Sequence, residues 1–390
     1  MVKLYLNKAQ LDAELFKCLN CVAKPCTKAC PAGCSPQEFI QQAKAGNFAG
    51  AVKSICRKNP LGHTCGLICP DHFCMKACLR GKIDHPINIP LVQATLIAKY
   101  RRDMIDEAPA SENGKKIAVV GAGPAGMAAA WALIKQGYRV KLFEKSDKVG
   151  GALNLIPDYR LPFEVIEDDW NYIKQTGRAE IEFNCLIDKP SQLIEQGFAG
   201  VIMAVGEQNG INLGVDGEEN VVAYADYLLY PQKYATKGNV GIIGGGNVAA
   251  DCAVTAKNAG AANVSVFVRR KIYDMKVTQK ERQELIDAQI DLVTTTRVCR
   301  VEKNNGQLDV YTCSTEQTES GYKDIENSTI RRSGFDLVIK AIGSRADKPV
   351  EDERIIYAGD CKTGGSTVVE AVASGLEAAK QLHIKLKGEN

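Results

Sequence analysis

The sequence predicts an α/β protein in which an N-terminal α-helical, cysteine-rich domain precedes two nested Rossmann-like dinucleotide-binding domains. Three observations predict it. Ten of the 15 cysteines fall between Cys18 and Cys78. A glycine-rich turn follows an apolar strand twice, near residues 121 and 244. From residue 116 onward short apolar strands alternate with helical stretches, the pattern of parallel βαβ units.

Taken in order, residues 1–110 form the helical domain, with helical stretches Pro36 to Ala51 and Pro90 to Arg101 between the cysteines. The polar run Ala108-Pro109-Ala110-Ser111-Glu112-Asn113-Gly114 reads as a linker. Lys116 to Val120 opens the first nucleotide fold, and Val240 to Ile243 repeats that opening about 120 residues later. A third strand, Arg354 to Ala358, leads into a final helix from Thr367 to Leu386. The spacing places one fold inside the other: 115–215 with 346–390 as the outer domain, and 216–345 as the inserted one. A chain of 390 residues has room for this division.

Composition narrows the function. A formal net charge of +3 predicts no nucleic-acid surface and no strongly acidic partner. The start, Met1 to Lys8, lacks a sustained apolar segment, and no apolar run reaches the length of a membrane span, so the expectation is a cytoplasmic protein. A disulfide framework is then not expected, and dense cysteine points to metal or redox chemistry. Ten small buried hydrophobes would be the bland alternative.

The first glycine turn is Gly121-Ala122-Gly123-Pro124-Ala125-Gly126, between the strand and an apolar helix, Met127 to Ile134. The first glycine permits the tight turn, the second lets backbone N–H groups approach a pyrophosphate, and the third allows close helix–strand packing. The helix N-terminus adds a positive dipole end. The next strand ends in Glu144, where an acid can bind ribose hydroxyls.

The second turn is Gly244-Gly245-Gly246-Asn247-Val248-Ala249, before a helix from Ala250 to Ala259. Its following strand, Asn263 to Val268, ends in Arg269-Arg270 and no acid. Guanidinium groups bind a 2′-phosphate bidentately where a carboxylate would repel it, which favours NADPH over NADH. The ordinary alternative is a solvated strand edge. Two such turns with opposite charge at the ribose position indicate two different dinucleotides.

Here residues 115–390 resemble the two-dinucleotide flavoprotein fold shared by glutamate synthase small subunits, adrenodoxin reductase and the flavin half of dihydropyrimidine dehydrogenase. The resemblance rests on Lys148-Val149-Gly150-Gly151, the run Ile156 to Pro162, Met203-Ala204-Val205-Gly206, Ala341-Ile342-Gly343 and Ala358-Gly359-Asp360. It implies an FAD site in the first fold, with Asp360 on the ribityl chain and the Gly365-Ser366-Thr367 turn facing the flavin ring. It also implies that Arg160 and Leu186 line that site, and that Lys276 joins Arg269 and Arg270 near the NADPH phosphate. Val205 stands where the family has threonine.

In the N-terminal domain, Cys18-x2-Cys21-x4-Cys26-x3-Cys30-Pro31 is followed by Cys65-x3-Cys69-Pro70 and Cys74-x3-Cys78. Close thiolate groups suit zinc or iron–sulfur chemistry. The Cys-Pro endings resemble bacterial ferredoxins, and zinc would have no electrons to pass to a flavin, so the reading is iron–sulfur. Residues Lys17 to Gln93 resemble the N-terminal domain of dihydropyrimidine dehydrogenase, through Lys17-Cys18-Leu19-x-Cys21, the run Asn59 to Gly66, and Pro86-Ile87-Asn88-Ile89. This implies two [4Fe-4S] clusters, one held by Cys18, Cys21, Cys26 and Cys78, the other by Cys30, Cys69, Cys74 and the side-chain oxygen of Gln93. An ordinary reading of Gln93 is a polar helix residue. Cys34, Cys56 and Cys65 are then left for packing.

The other five cysteines, scattered from Cys185 to Cys361, contain no C-x-x-C, which excludes a thioredoxin-reductase type of thiol relay. None of the four histidines sits in a catalytic constellation, and hydride transfer at a flavin needs alignment more than a side-chain acid or base, so no catalytic side chain is expected. The expected activity is electron transfer from NADPH through FAD and [4Fe-4S] clusters to a separate substrate-reducing subunit. A dihydropyrimidine dehydrogenase with an FMN-containing partner fits the N-terminal motifs. A glutamate synthase-like assembly fits Arg269-Arg270 with Met275, and a redox sensor that binds NADPH is the alternative of another class.

Overall fold

A computed structural model describes residues 4–104, 109–319, 321–347 and 352–388. The chain divides into two compact units: Met1–Asn154, Asp158–Gln208 and Arg345–Asn390 form the first, and Leu155–Pro157 with Asn209–Ser344 form the second.

The first unit opens with α1 (Lys8–Phe16), whose N-cap Asn7 accepts from the Gln10 N–H while the Gln10 side chain returns the bond. The single helical stretch expected from Pro36 to Ala51 is two helices, α2 (Pro36–Lys44) and α3 (Phe48–Cys56). The break has a local cause. Gly46 takes φ +82°, and the Asn47 side chain then caps α3 by accepting from the Gly50 N–H. Helices α4 (Gly62–Ile68) and α5 (Ile89–Tyr100) complete the helical region. Phe39, Ile40, Ile55, Leu61, Val92 and Leu96 are buried among these helices.

The described part of the linker is tied down: Ala110 N–H bonds Lys135 O at 3.2 Å and Asn113 N–H bonds Gly137 O at 3.0 Å. Its first residue, Ala108, lies outside the described residues. Next come β1 (Lys116–Val120), α6 (Pro124–Lys135), β2 (Arg139–Phe143), α7 (Phe163–Lys174), β3 (Ala179–Glu182) and β4 (Gly200–Met203). The late strand Ile355–Tyr357 returns to pair with β4, giving a parallel five-stranded sheet with that strand at one edge, then β4-β1-β2-β3. This return is the nesting expected from the motif spacing. The C-terminal helix Val368–Lys387 packs on α6.

The helical region is fastened to this sheet by a charge cluster that no motif announced. Arg101, just after α5, donates to Asp168 (2.9 Å) and Asp169 (2.5 Å) on α7. Asp169 also accepts the N–H groups of His63 (3.3 Å) and Thr64 (2.8 Å) at the start of α4. The His63 ring bridges Asp168 (2.8 Å) and the Tyr5 hydroxyl (2.9 Å). Burial pushes the Asp168 carboxyl up, but the His63 hydrogen bond and the Arg101 charge outweigh it and hold it below the usual carboxylate range.

The second unit contains a parallel sheet ordered β5-β13-β6-β7-β8, from β5 (Val222–Ala223), β6 (Asn239–Ile243), β7 (Asn263–Val268), β8 (Asp291–Thr294) and β13 (Leu337–Lys340). Helix α8 (Asn247–Asn258) joins β6 to β7, and α9 (Gln279–Asp287) precedes β8. An antiparallel sheet, absent from the sequence reading, follows: β9 (Thr296–Asn304), β10 (Gln307–Thr318), β11 (Gly321–Asp324) and β12 (Ile330–Phe335), with β10 central. Val298, Val301, Val310 and Phe335 from it share a core with Ile243, Phe267 and Val338 of the parallel sheet. Among the described residues no helix is long and apolar enough to cross a membrane.

Candidate cofactor sites

Two cysteine-lined cavities lie in the helical region. The first is walled by Cys18, Cys21, Cys26 and Cys78, with Leu19 and Ile40 also lining it. Cys18 follows the end of α1, and the left-handed Lys24 (φ +47°) sends the chain into a short helix, Pro25–Lys28, that sets Cys26. Burial, then the neighbouring Cys78, pushes the Cys26 thiol up. The second cavity is walled by Cys30, Cys69, Cys74 and Gln93. The family resemblance implies these eight residues as two sets of four, and the fold places each set around one cavity.

Gln93 is buried, and its Nε2 donates to Gly62 O at 2.7 Å, which commits the amide nitrogen and leaves the carbonyl oxygen as the end that can ligate. The Cys30 thiol is lowered to about 6 by its hydrogen bond with Cys34 and by the backbone N–H groups of residues 32 to 34, against the opposing effect of burial. Burial pushes the Cys74 thiol up to about 12, so it ligates as thiolate only with a cation to compensate. Cys34 and Cys65, assigned to packing by the sequence, are buried, yet they also face this cavity and hydrogen-bond Cys30 and Cys69. Cys56 is fully buried. Among the described residues no three His, Cys, Asp or Glu side chains converge tightly enough to share one metal ion. Four donors spread around an open cavity suit a cluster better than a zinc ion. The second cavity is also walled by Val369, in the first turn of the C-terminal helix.

The first glycine turn has the geometry its motif requires. Gly121 takes φ +98°, and a Cβ on Gly126 would stand 2.0 Å from Gly121 O. Gly123 differs: nothing lies closer than 3.9 Å to its added Cβ, so its backbone is open for a ligand at the start of α6. Glu144 is buried and accepts from the Ala122 N–H (2.7 Å) and the Ser146 N–H (2.9 Å), which fixes the acid beneath that opening. Gly150 N–H bonds Ala122 O at 2.9 Å, and Gly151 lies against Gly123, so this loop forms a further wall; Pro124 and Ala125 begin α6.

Across the same sheet, Asp360 accepts from Ser366 Oγ at 2.6 Å, and Thr367 caps the C-terminal helix through a reciprocal pair with Glu370. Burial, with Glu207 and Glu370 adding to it, pushes the Asp360 carboxyl up against the Ser366 hydrogen bond. Gly359 takes φ +71° to make this turn. Arg160 is half-buried after the Gly150-Gly151 loop, whereas Leu186 is 62% exposed, one residue past Cys185, whose N–H bonds Glu144 O.

In the second unit Gly244 takes φ +149°, and its Cβ would stand 2.2 Å from Ala341 O, which places the Ala341-Ile342-Gly343 loop against the glycine turn. Gly246 has only Lys276 O near it, at 3.8 Å, and is the open position at the start of α8, where Val248 is exposed. Lys276 N–H bonds Gly245 O at 3.0 Å, so Lys276 lies beside the turn. With its amide turned so that nitrogen faces the acceptors, Asn247 donates to Glu281 (2.7 Å) and to Lys276 O (3.0 Å). Glu281 was missed in the sequence; its signal is the spacing Thr278-x-x-Glu281, a capping box that starts α9. Arg269 is exposed and Arg270 half-buried, the latter 6.0 Å from the Tyr322 ring. Their backbones are held from the antiparallel sheet: Thr315 Oγ1 donates to Arg269 O (2.7 Å) and Thr295 N–H to Arg270 O (3.0 Å).

Known proteins share these features. Residues 1–105 match the family model described as dihydropyrimidine dehydrogenase domain II, 4Fe-4S cluster, and residues 115–375 match the pyridine nucleotide-disulphide oxidoreductase model. The chain is 30% identical to the NAD-dependent dihydropyrimidine dehydrogenase subunit PreT of Escherichia coli K12, over 96% of this chain and 94% of that one. It is also 30% identical to the NADP(+)-dependent formate dehydrogenase subunit beta of Moorella thermoacetica, over 92% of this chain and 59% of that one. Among solved structures, FprA of Mycobacterium tuberculosis in complex with NADPH shares the fold with a TM-score of 0.60 at 15% identity, covering 70% of this chain and 86% of that one. The chain therefore belongs to the pyridine nucleotide-disulphide oxidoreductase family, in the PreT-like branch that carries an N-terminal dihydropyrimidine dehydrogenase-type 4Fe-4S domain, and is a pyridine nucleotide-dependent flavoprotein oxidoreductase subunit.

Proposed function

We propose that this chain is the electron-input subunit of a dihydropyrimidine dehydrogenase, taking electrons from NADPH and delivering them to a separate FMN-containing subunit that reduces the pyrimidine. The observation that carries this reading is the pair of cysteine-lined cavities, with Cys18, Cys21, Cys26 and Cys78 around one and Cys30, Cys69, Cys74 and Gln93, beside Cys34 and Cys65, around the other. FAD supplies the conversion of a two-electron hydride into single electrons, which [4Fe-4S] clusters accept one at a time.

The residues divide the work. Gly121, Gly123 and the start of α6 hold the FAD pyrophosphate, Glu144 its ribose, and Asp360 with Ser366 and Thr367 the flavin end. Arg160 and Leu186 border the same site. Gly244, Gly246 and the start of α8 hold the NADPH pyrophosphate, and Arg269, Arg270 and Lys276 take its 2′-phosphate. Arg269 supports the phosphate reading because it is exposed and its backbone is pinned. The relatives' names divide between NAD and NADP(+), so the arginines carry the preference. Val369 also walls the Gln93-side cavity, so a cluster held there would lie beside the first turn of the helix that Thr367 caps.

Anaerobic stopped-flow mixing with NADPH tests the order. Flavin absorbance should bleach first and cluster absorbance afterwards; cluster reduction in flavin-depleted protein would overturn it. Affinity capture from the native host tests the partner: an FMN-containing barrel subunit supports the reading, and a large amidotransferase overturns it.

A further inference from the structure

The scattered cysteines contain no C-x-x-C, yet strand pairing brings two of them together. Arg297 on β9 faces Cys313 on β10, and Val298 faces Thr312; the register then shifts so that Arg300 faces Tyr311. Cys299 is the extra, bulged residue. Its thiol donates to Tyr311 O at 3.2 Å, and the Cys313 thiol is hydrogen-bonded to it. Both are free thiols; Cys299 is half-buried and Cys313 buried. The same two strands hold the arginine pair. Thr315, two residues beyond Cys313, holds Arg269 O, and Thr295, just before β9, holds Arg270 O.

We propose that Cys299 and Cys313 are a redox modification site: exchange with a low-molecular-weight disulfide links them, and the link weakens binding of the dinucleotide 2′-phosphate at Arg269 and Arg270. In the first step the Cys299 thiolate attacks one sulfur of the small disulfide and expels one small thiol, leaving a mixed disulfide. The Cys313 sulfur then attacks the Cys299 sulfur and expels the second small thiol. Two protein thiols and one disulfide become one protein disulfide and two thiols, and the two electrons pass to the reagent's S–S bond. The half-buried thiol is the one a reagent reaches. Burial, then the hydrogen bond with Cys299, push the Cys313 thiol up to about 11, so it does not attack the reagent first and its closure on the Cys299 mixed disulfide is the slower step. Closing the sulfurs to about 2.05 Å draws β9 and β10 together at the bulge. The strain falls next to the two threonine tethers, so the arginines lose their set positions.

The second half of this inference rests on the NADPH reading above, and the test separates the two. The full-length holoprotein is incubated anaerobically with glutathione disulfide, alkylated and mapped by peptide mass. In parallel its flavin is titrated with NADPH and with NADH. A cross-linked Cys299–Cys313 peptide is expected, with the NADPH dissociation constant raised about fivefold or more, the NADH value unchanged, and reversal by dithiothreitol. C299S and C313S should bind NADPH like the untreated protein and not respond. Alkylation of both thiols after treatment, a glutathione adduct that never resolves to the cross-link, or a cross-link with unaltered NADPH affinity would each overturn the proposal. If untreated protein fails to distinguish NADPH from NADH, the phosphate reading fails, while the cross-linked peptide still reports on the thiol pair.

Discussion

Replacing Arg101 by methionine tests how the helical region is fastened to the five-stranded sheet through α7. The side chain is 9% exposed and its partner Asp169 fully buried, so R101M leaves a carboxylate in the interior with two N–H donors and no countercharge. Breaking a buried pair from one side costs about 3–5 kcal/mol. At a urea slope of about 2–3 kcal/mol/M, the unfolding midpoint should fall by about 1–2.5 M. Tryptophan fluorescence is a selective probe, because both tryptophans, Trp131 and Trp170, are buried in the first unit. D169N should cost less, about 1.5–3 kcal/mol, since an amide oxygen still serves one backbone donor and Arg101 keeps Asp168. The double variant R101M/D169L should not recover the loss, as a buried pair replaced by apolar residues often does, because the His63 and Thr64 N–H groups would be orphaned. An R101M midpoint within about 0.3 M of wild type would refute the claim that this cluster locks α4 in place.

Other substitutions separate binding from folding. G123A should fold with a normal midpoint but bind FAD at least about tenfold more weakly, because the added methyl meets only ligand space; flavin fluorescence after dialysis reads this. G126A, whose Cβ would meet Gly121 O at 2.0 Å, should lose stability as well, seen as a lowered melting temperature. Q93L should lose about half the iron and the electron paramagnetic resonance signal of one cluster, with FAD content retained. R269A/R270A should raise the NADPH dissociation constant about 10- to 100-fold and leave NADH unaffected, measured by flavin bleaching. Asp168 sets an acid limit: its folded pKa is depressed, so its stabilisation is present above the unfolded value near 3.9 and is lost as pH falls through the lower folded value. Wild type should therefore be more stable than D168N above the unfolded value, with the difference shrinking as pH falls below it, and parallel pH–stability profiles for the two would contradict this.

Sequence legibility followed how local each physical cause is. The glycine turns could be read because a tight turn, an open backbone and a close helix each demand glycine at a fixed spacing, and Gly121, Gly123 and Gly126 meet those demands within six residues. The cysteine sets were legible only through resemblance. Spacing alone could not send Cys78 to the Cys18 cavity and Cys74 to the Cys30 cavity, since the separation of the two depends on how the turn before Leu79 meets α2 and α5. What stayed hidden was tertiary. Arg101, Asp168 and Asp169 look like ordinary surface charges until α7 brings two carboxylates against the end of α5. Cys299 and Cys313 are separated by a hairpin turn and become neighbours only because a one-residue bulge shifts the register of β9. The Gly46 break lay between these cases: its positive φ is a local cause, but the apolar pattern runs on through it, and periodicity alone reads two helices as one. Motifs thus point to the turns and cavities proposed for the dinucleotides and clusters, while long-range charge and strand register decide how firmly those elements are held.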